Sequence, residues 1–171
     1  NKATDYYPGF KTILVYPETY QALVTHQDGA LQSQSTDLRA GESWQRGPVI
    51  LAWNHVLAGA QDDRDGHNVV MHEFAHKLDE ENSSTNGLPI LPSRQQYQAW
   101  SKVLAEEFER QQKKYQNGDT DVIDSYGATS PAEFFAVVTE TFFEKPRQLK
   151  QLHPLLYQQF ELFYQLDPAV W

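Results

Sequence analysis

Two short apolar runs stand out in the first third of the chain. Residues 11–16 (KTILVY) are rich in β-branched and aromatic side chains and end at Pro17, and residues 49–53 (VILAW) follow Gly47 and Pro48. Short apolar runs bounded by turn residues are typical of strands, and a continuous run is typical of a buried one. We therefore predict two early strands, with the second buried in a sheet.

The segments around these strands carry weaker signals. Residues 18–25 are compatible with a short helix, residues 27–29 and 40–43 resemble turns, and residues 54–60 form a predicted helical turn before the polar loop 61–66. These assignments rest on local composition, which tertiary contacts can override.

From residue 68 onward, apolar residues recur at the 3.6-residue spacing of amphipathic helices. Ser93 and Ser130 are predicted helix N-caps, and Pro131 stands at a first helical position. The predicted helices cover residues 68–79, 94–115, 131–144 and 154–166. Helices dominate and strands cluster early, which predicts an α+β fold with one small sheet. Because we find no linker between two parts, we predict one domain over residues 1–171.

Composition narrows the classes of function. The 171 residues are 40% hydrophobic, which excludes a disordered chain, and at this length roughly 70% of the unfolded surface is buried on folding. The formal net charge of −9 disfavours direct binding to nucleic acid. With no cysteine, thiolate metal sites are excluded, and no apolar run reaches the 18 residues of a membrane span.

The sharpest chemical signal is H-E-x-x-H at residues 72–76, within an apolar helical segment. On a helix, His72 and His76 project from one face on adjacent turns, so both imidazoles can bind one tetrahedral metal ion. Glu73 lies beside them, in the position of a general base that takes a proton from water. The pattern is typical of a metallopeptidase.

The third metal ligand is left open by spacing alone. The extended motif with a third histidine would need Gly at position 79 and His at 82, where this chain has Asp79 and Asn82. A later glutamate is the alternative, and the apolar helix 131–144 offers Glu133 and Glu140, two turns apart on one face. Glu133 also fits a capping box with Ser130, and Glu140 fits an acceptor for a histidine N–H.

Several segments together resemble the Mlc titration factor A family. They are residues 72–79 (HEFAHKLD), residues 126–136 (YGATSPAEFFA) and the upstream stretches 7–10, 41–44 and 47–53. The resemblance spans nearly the whole chain. It implies a zincin-like fold and a zinc-dependent peptidase with a catalytic core similar to that of anthrax lethal factor. Members of this family carry an additional N-terminal segment, and this chain starts inside the pattern.

The resemblance assigns roles to single residues. It implies Zn²⁺ on His72, His76 and Glu133, with Glu73 as the general base and Tyr126 at the catalytic site. It further implies a peptide or protein substrate, the transcriptional repressor Mlc as a binding partner, and a cytoplasmic location. A phenol at position 126 can donate a hydrogen bond to an oxyanion, or it can be a packed loop tyrosine.

Three further hypotheses accompany this prediction. Residues 49–53 are a candidate strand at the edge of the substrate cleft, where an extended peptide would add by main-chain hydrogen bonds. Asp79 is either a carboxylate that orients a histidine or an ordinary helix-end residue. The rival function is a regulatory protein-binding module in which zinc is structural or vestigial.

Overall fold

The computed structural model describes Tyr7 and residues 10–28, 31–39, 41–43 and 47–171. Within these residues, strands occupy the first third and helices the remainder. The strands are β1 (Ile13–Tyr16), β2 (Tyr20–Asp28), β3 (Leu31–Arg39), β4 (Gly41–Ser43) and β5 (Val49–Ala52). The helices are α1 (Trp53–Gln61), α2 (Val69–Asp79), α3 (Arg94–Asn117), α4 (Pro131–Glu144), α5 (Pro146–Leu152) and α6 (Pro154–Tyr164). Short 3₁₀ turns lie at Glu80–Asn82, Ser125–Ala128 and Pro168–Val170. The predicted α+β class is confirmed.

The described strands form two sheets where one was predicted. β5 lies in the centre of a three-stranded sheet, parallel to β1 and antiparallel to β4. β2 and β3 form a separate antiparallel hairpin. Every residue of β5 is buried, as its continuous apolar run predicted. Because β5 has a partner on each side, it is not an edge strand, and the prediction that residues 49–53 line the cleft with an open edge is wrong.

Two local assignments near the start are also wrong, and one helix went unpredicted. Residues 18–25 were expected to be a helix, but β2 occupies most of that segment because it pairs with β3. Residues 41–43 were expected to be a turn and instead pair with β5. Non-local strand pairing outweighs local propensity in both places. Helix α5 has only two apolar side chains, too few for a periodic signal.

Helix α4 forms the centre of the helical core. Nearly all its residues are buried, and aromatic rings from α3 and α6 pack around it. Trp100 stacks on Phe160 with ring centroids 5.2 Å apart and meets Phe135 at 5.8 Å. A helix that is apolar on all sides must be enclosed, which also takes its acidic side chains out of water.

Side-chain caps fix the starts of helices α2, α3 and α4. Asn68 Oδ1 accepts from Met71 N at 3.1 Å to begin α2, and Ser93 Oγ accepts from Gln96 N at 3.2 Å to begin α3. Ser130 Oγ accepts from Glu133 N at 3.2 Å to begin α4. The predicted caps at Ser93 and Ser130 are confirmed, and each satisfies an N–H that has no partner inside its helix. In the described part of the chain, no helix combines the length and the hydropathy that crossing a membrane requires.

Candidate metal centre

Helices α2 and α4 pack against each other and bring three of the predicted site residues together. His72 Nε2 lies 3.0 Å from Glu133 Oε2, and His76 Nε2 lies 3.4 Å from the same oxygen. The two Nε2 atoms are 3.1 Å apart. Two imidazole nitrogens and one carboxylate oxygen therefore converge on a single point between the helices.

The donor set and its spacing suit a tetrahedral zinc ion. Ligand atoms about 2.0–2.1 Å from one tetrahedral ion stand about 3.3 Å apart. The three observed separations lie on either side of that value. Glu133 Oε2 is buried and makes no hydrogen bond of good geometry among the described residues, although both imidazoles face it. A buried carboxylate oxygen in such surroundings is well suited to bind a cation.

The structure separates the two roles that the spacing left open for Glu133. Its backbone N–H donates to Ser130 Oγ, which completes the helix cap. Its carboxylate oxygen Oε2 faces the two histidines instead of the start of the helix. The cap therefore fixes the backbone of the first turn of α4, while the side chain is directed across to α2.

Glu140 holds His72 from the side opposite Glu133. Its Oε1 lies 2.8 Å from His72 Nδ1, and its Oε2 accepts from Asn68 N at 2.5 Å. When Nδ1–H donates to this carboxylate, the lone pair of Nε2 is free to bind metal. Of the two roles weighed for Glu140, the structure places it as the histidine N–H acceptor.

Asn68 is a residue that the sequence analysis missed. Its Oδ1 caps α2, its Nδ2 donates to Glu144 Oε1 at 3.0 Å, and its backbone N donates to Glu140. Glu144 Oε2 also accepts from Gly66 N at 3.0 Å. The first turn of α2 is thus fixed to two carboxylates on α4. The spacing of Glu133, Glu140 and Glu144 on an apolar helix was the available signal for this arrangement.

The carboxylates make the site favourable for positive charge. Burial lowers the pKa of His72, but the close carboxylates of Glu133 and Glu140 outweigh it and raise that pKa to about 10. Burial raises the pKa of Glu133, but the imidazoles of His72 and His76 beside it lower that pKa to about 2. Both shifts favour the ionised forms of these groups. A divalent cation would satisfy the same carboxylates.

Glu73 and Tyr126 lie at the borders of the cluster. Glu73 is buried on α2, and its charge contributes to the raised pKa of His72. Tyr126 lies in the 3₁₀ turn before α4 and is about half exposed, with its ring centroid 6.0 Å from that of His72. The structure therefore brings all five predicted site residues into one region.

The hydrogen bonds of Asp79 go to a loop and not to a histidine. Its two carboxylate oxygens accept from the backbone N–H groups of Gly87 and Leu88, at 2.7 and 2.9 Å. Of the alternatives weighed for this residue, the helix-end position is correct, but the carboxylate is fully buried and anchors a loop.

Comparison with known sequences agrees with this geometry. Residues 1–165 match a family described as glucose-regulated metallo-peptidase M90. The chain belongs to the M90 family. The resemblance stated from the sequence motifs is confirmed, and membership implies a metallopeptidase that uses a metal ion. The His72, His76 and Glu133 cluster is a group within the described residues that could hold one.

Curated relatives extend the match along nearly the whole chain. An uncharacterized protein of Synechocystis is 46% identical over 166 residues, covering 96% of this chain and 60% of its own length. Mlc titration factor A of Serratia proteamaculans is 38% identical over 94% of this chain and 62% of its own length. Mlc titration factor A of Escherichia fergusonii is 37% identical, covering 95% of this chain and 62% of its own length. The chain therefore spans about 60% of the length of these relatives.

Proposed function

We propose that this M90 chain is a zinc-dependent peptidase domain of zincin-like fold. His72, His76 and Glu133 would hold the Zn²⁺, with Glu73 and Tyr126 as catalytic residues. The observation that carries the proposal is the convergence of His72 Nε2, His76 Nε2 and Glu133 Oε2 within 3.4 Å of one another. An N₂O donor set with further positions open is the arrangement of catalytic zinc sites.

The chain's own residues supply the proton transfers. When bound, the ion would act as a Lewis acid that polarises the scissile carbonyl and makes water more acidic. Glu73 would accept the proton of the attacking water and pass it to the leaving amine. The Tyr126 hydroxyl would donate a hydrogen bond to the oxyanion that develops on the carbonyl. Glu140 would keep His72 in the orientation that this chemistry needs.

A peptide substrate would bind alongside the sheet. β4 is an edge of the three-stranded sheet and packs on α2, the helix that carries both histidines. An extended peptide that adds to β4 by main-chain hydrogen bonds would pass across this helix. This position replaces the central strand β5 as the proposed cleft edge.

The test of this proposal is Glu73→Gln. Glutamine has nearly the same size but cannot accept the proton, so peptide cleavage should fall by about 10²–10⁴-fold. Zinc content and thermal stability should stay close to those of the wild-type chain. Glu106→Gln, which changes an exposed glutamate on α3, is the matched control. Equal cleavage by wild type and Glu73→Gln would overturn the mechanism.

A second proposed function is binding of the repressor Mlc, supported by the name of the relatives that are 36–38% identical. The Glu73→Gln chain separates the two functions, because binding does not need proton transfer. If the chain binds Mlc, the Kd should be the same for both forms. Zinc as the metal, the single domain and the cytoplasmic location remain predictions.

A further inference from the structure

The buried carboxylate of Asp79 holds a loop against the end of α2. Both of its oxygens accept backbone hydrogen bonds, from Gly87 N at 2.7 Å and from Leu88 N at 2.9 Å. Asp79 is fully buried and lies three residues after His76 on the same helix. A fully desolvated carboxylate with two backbone donors ties the loop tightly to this helix end.

The other side of Gly87 rests on the first turn of α4. A Cβ atom at this position would stand 2.4 Å from the carbonyl oxygen of Pro131 and 3.0 Å from its carbonyl carbon. Gly87 has φ +73°, and its own carbonyl accepts from Trp100 Nε1 at 2.9 Å. Trp100 is buried in the aromatic core. Gly87 is therefore held between α2, α3 and α4.

The residues that enclose Gly87 are close in sequence to two of the proposed metal ligands. Pro131 is two residues before Glu133, and Asp79 is one helical turn after His76. The path from one ligand to the other runs through Asp79 and Gly87, which are buried, to the backbone of Pro131, an exposed residue in the first turn of α4. The close approach of Gly87 to the Pro131 carbonyl leaves no room there to absorb a displacement. A larger residue at position 87 would therefore change the distance between His76 and Glu133.

We propose that Asp79 and Gly87 are positioning residues that set the distance between His76 and Glu133, and so the metal affinity of the site. The inference rests on the proposed zinc site. Neither residue is one of the proposed ligands, so both would act through the helices that carry them. A purely structural role would change folding stability without changing the coordination of the metal.

Two glycines allow a matched test. Gly118, the C-cap of α3, has φ +74°, but a Cβ there meets no atom within 4 Å. Gly87→Ala and Gly118→Ala thus share the strain of a left-handed alanine, and only the first presses on α4. We expect the Zn²⁺ affinity of Gly87→Ala, measured by chelator competition, to fall about 10–100-fold, the range for residues that orient ligands. The Gly118→Ala affinity should equal that of wild type.

Cobalt absorption gives a second readout. With Co²⁺ in place of Zn²⁺, the absorption spectrum should change in Gly87→Ala and stay unchanged in Gly118→Ala. If folded Gly87→Ala binds Zn²⁺ as tightly as Gly118→Ala, the positioning role is wrong while the zinc site stands. If the wild-type chain binds no Zn²⁺, both the inference and the proposed function are overturned.

Asp79→Asn covers the case in which Gly87→Ala does not fold. Asparagine keeps the shape but turns an NH₂ group toward one of the two backbone donors. Its Zn²⁺ affinity should fall and its Co²⁺ spectrum should change, whereas Asp121→Asn, which breaks a buried network with Lys114 and His153, should change neither. An unchanged affinity in Asp79→Asn would overturn the inference. A lower affinity with an unchanged Co²⁺ spectrum would indicate only loss of charge and would also overturn it.

Discussion

Two clusters among the described residues combine buried histidine with carboxylates, and they arrange the same chemical groups in opposite ways. In the first, His72 and His76 on α2 meet Glu133 and Glu140 on α4. In the second, His153 lies between α5 and α6, with Glu107 from α3 on one ring nitrogen and Asp121 on the other. The second cluster resembles a metal site in composition but not in geometry.

The difference is where the ring nitrogens point. Around His153, Nδ1 lies 2.8 Å from Glu107 and Nε2 lies 2.9 Å from Asp121, so both nitrogens are engaged on opposite sides of the ring. Lys114 also pairs with Asp121, and Arg110 pairs with Glu107 and contacts the ring. Around His72, Nδ1 lies 2.8 Å from Glu140, whereas Nε2 points to the place where a second imidazole and the Glu133 carboxylate meet.

This comparison shows that convergence, and not the number of acidic partners, distinguishes a candidate metal centre from a buried ion-pair network. His72 also has a carboxylate near each ring nitrogen, but the Glu133 oxygen beside its Nε2 faces His76 as well, so three donor atoms meet at one point. A metal ion bound there would replace the proton on Nε2, while Nδ1–H still donates to Glu140. Matched substitutions in the two clusters test that distinction.

Removing a converging ligand should have the largest effect. His76→Ala or Glu133→Ala removes one of the three proposed donor atoms. Loss of a residue that only orients a ligand lowers metal affinity by up to about 100-fold, so the loss of a ligand itself should lower zinc affinity further. Elemental analysis after dialysis measures the remaining zinc. His153→Ala is the control and should keep the zinc content of wild type. Full zinc in Glu133→Ala would remove Glu133 from the ligand set and make Glu140 the next candidate.

The hydroxyl of Tyr126 should affect catalysis and little else. Tyr126→Phe removes one donor to the oxyanion, so kcat and kcat/KM should fall together by about 10²–10³-fold with KM and zinc content nearly unchanged. Steady-state kinetics on a peptide substrate measures this. Tyr115→Phe, at an exposed tyrosine of α3, is the control. A change in KM alone would make Tyr126 part of the substrate-binding wall instead.

Loss of the outward partner of His72 should weaken the metal site without abolishing it. Glu140→Gln keeps an acceptor oxygen but removes the charge, so zinc affinity should fall about 10–100-fold. Chelator competition measures the change. Glu107→Gln makes the same substitution beside His153 and should leave zinc affinity unchanged, which sharpens the contrast between the clusters. Equal zinc affinity in both variants would show that Glu140 does not tune the metal.

The contribution of the His153 cluster to folding stability should depend on pH and not on metal binding. Burial lowers the pKa of His153, but hydrogen bonds to Asp121 and Glu107 outweigh it and raise that pKa. Burial raises the pKa of Asp121, but hydrogen bonds from His153 and Lys114 lower it well below its usual range. Asp121 therefore stabilises the fold above about pH 4, and His153 stabilises it below about pH 6.5, with that contribution lost as pH rises through the raised pKa.

His153→Gln should accordingly lower the free energy of unfolding by about 1–2 kcal/mol in the window between those values. The gap to wild type should narrow as pH rises through the raised pKa. Urea unfolding at a series of pH values measures it, and the site histidines, present in both chains, cancel in the difference. A gap that does not change with pH would mean that His153 is not charged in the folded protein.

The candidate site was more predictable than the part of the fold that precedes it. The spacing of His72 and His76 fixes their common face because a helix has a set period, and Ser130 with Pro131 fixes where α4 begins. The helix expected over residues 18–25 failed because β2 is stabilised by β3, whose contribution no local window contains. The turn expected over residues 40–43 failed for the same reason, because β4 is stabilised by pairing with β5.

The sequence by itself determined the α+β class, the caps at Ser93 and Ser130, the histidine pair and the short set of candidate third ligands. These depend on helical period, chain stiffness and composition, which are local properties. Only the tertiary structure brought Glu133 to the Nε2 atoms of both histidines and Glu140 to His72 Nδ1. It also gave Asn68 its three bonds, placed β5 in the centre of its sheet and turned Asp79 toward Gly87. Each of these depends on the distance between elements far apart in the chain, and packing sets that distance.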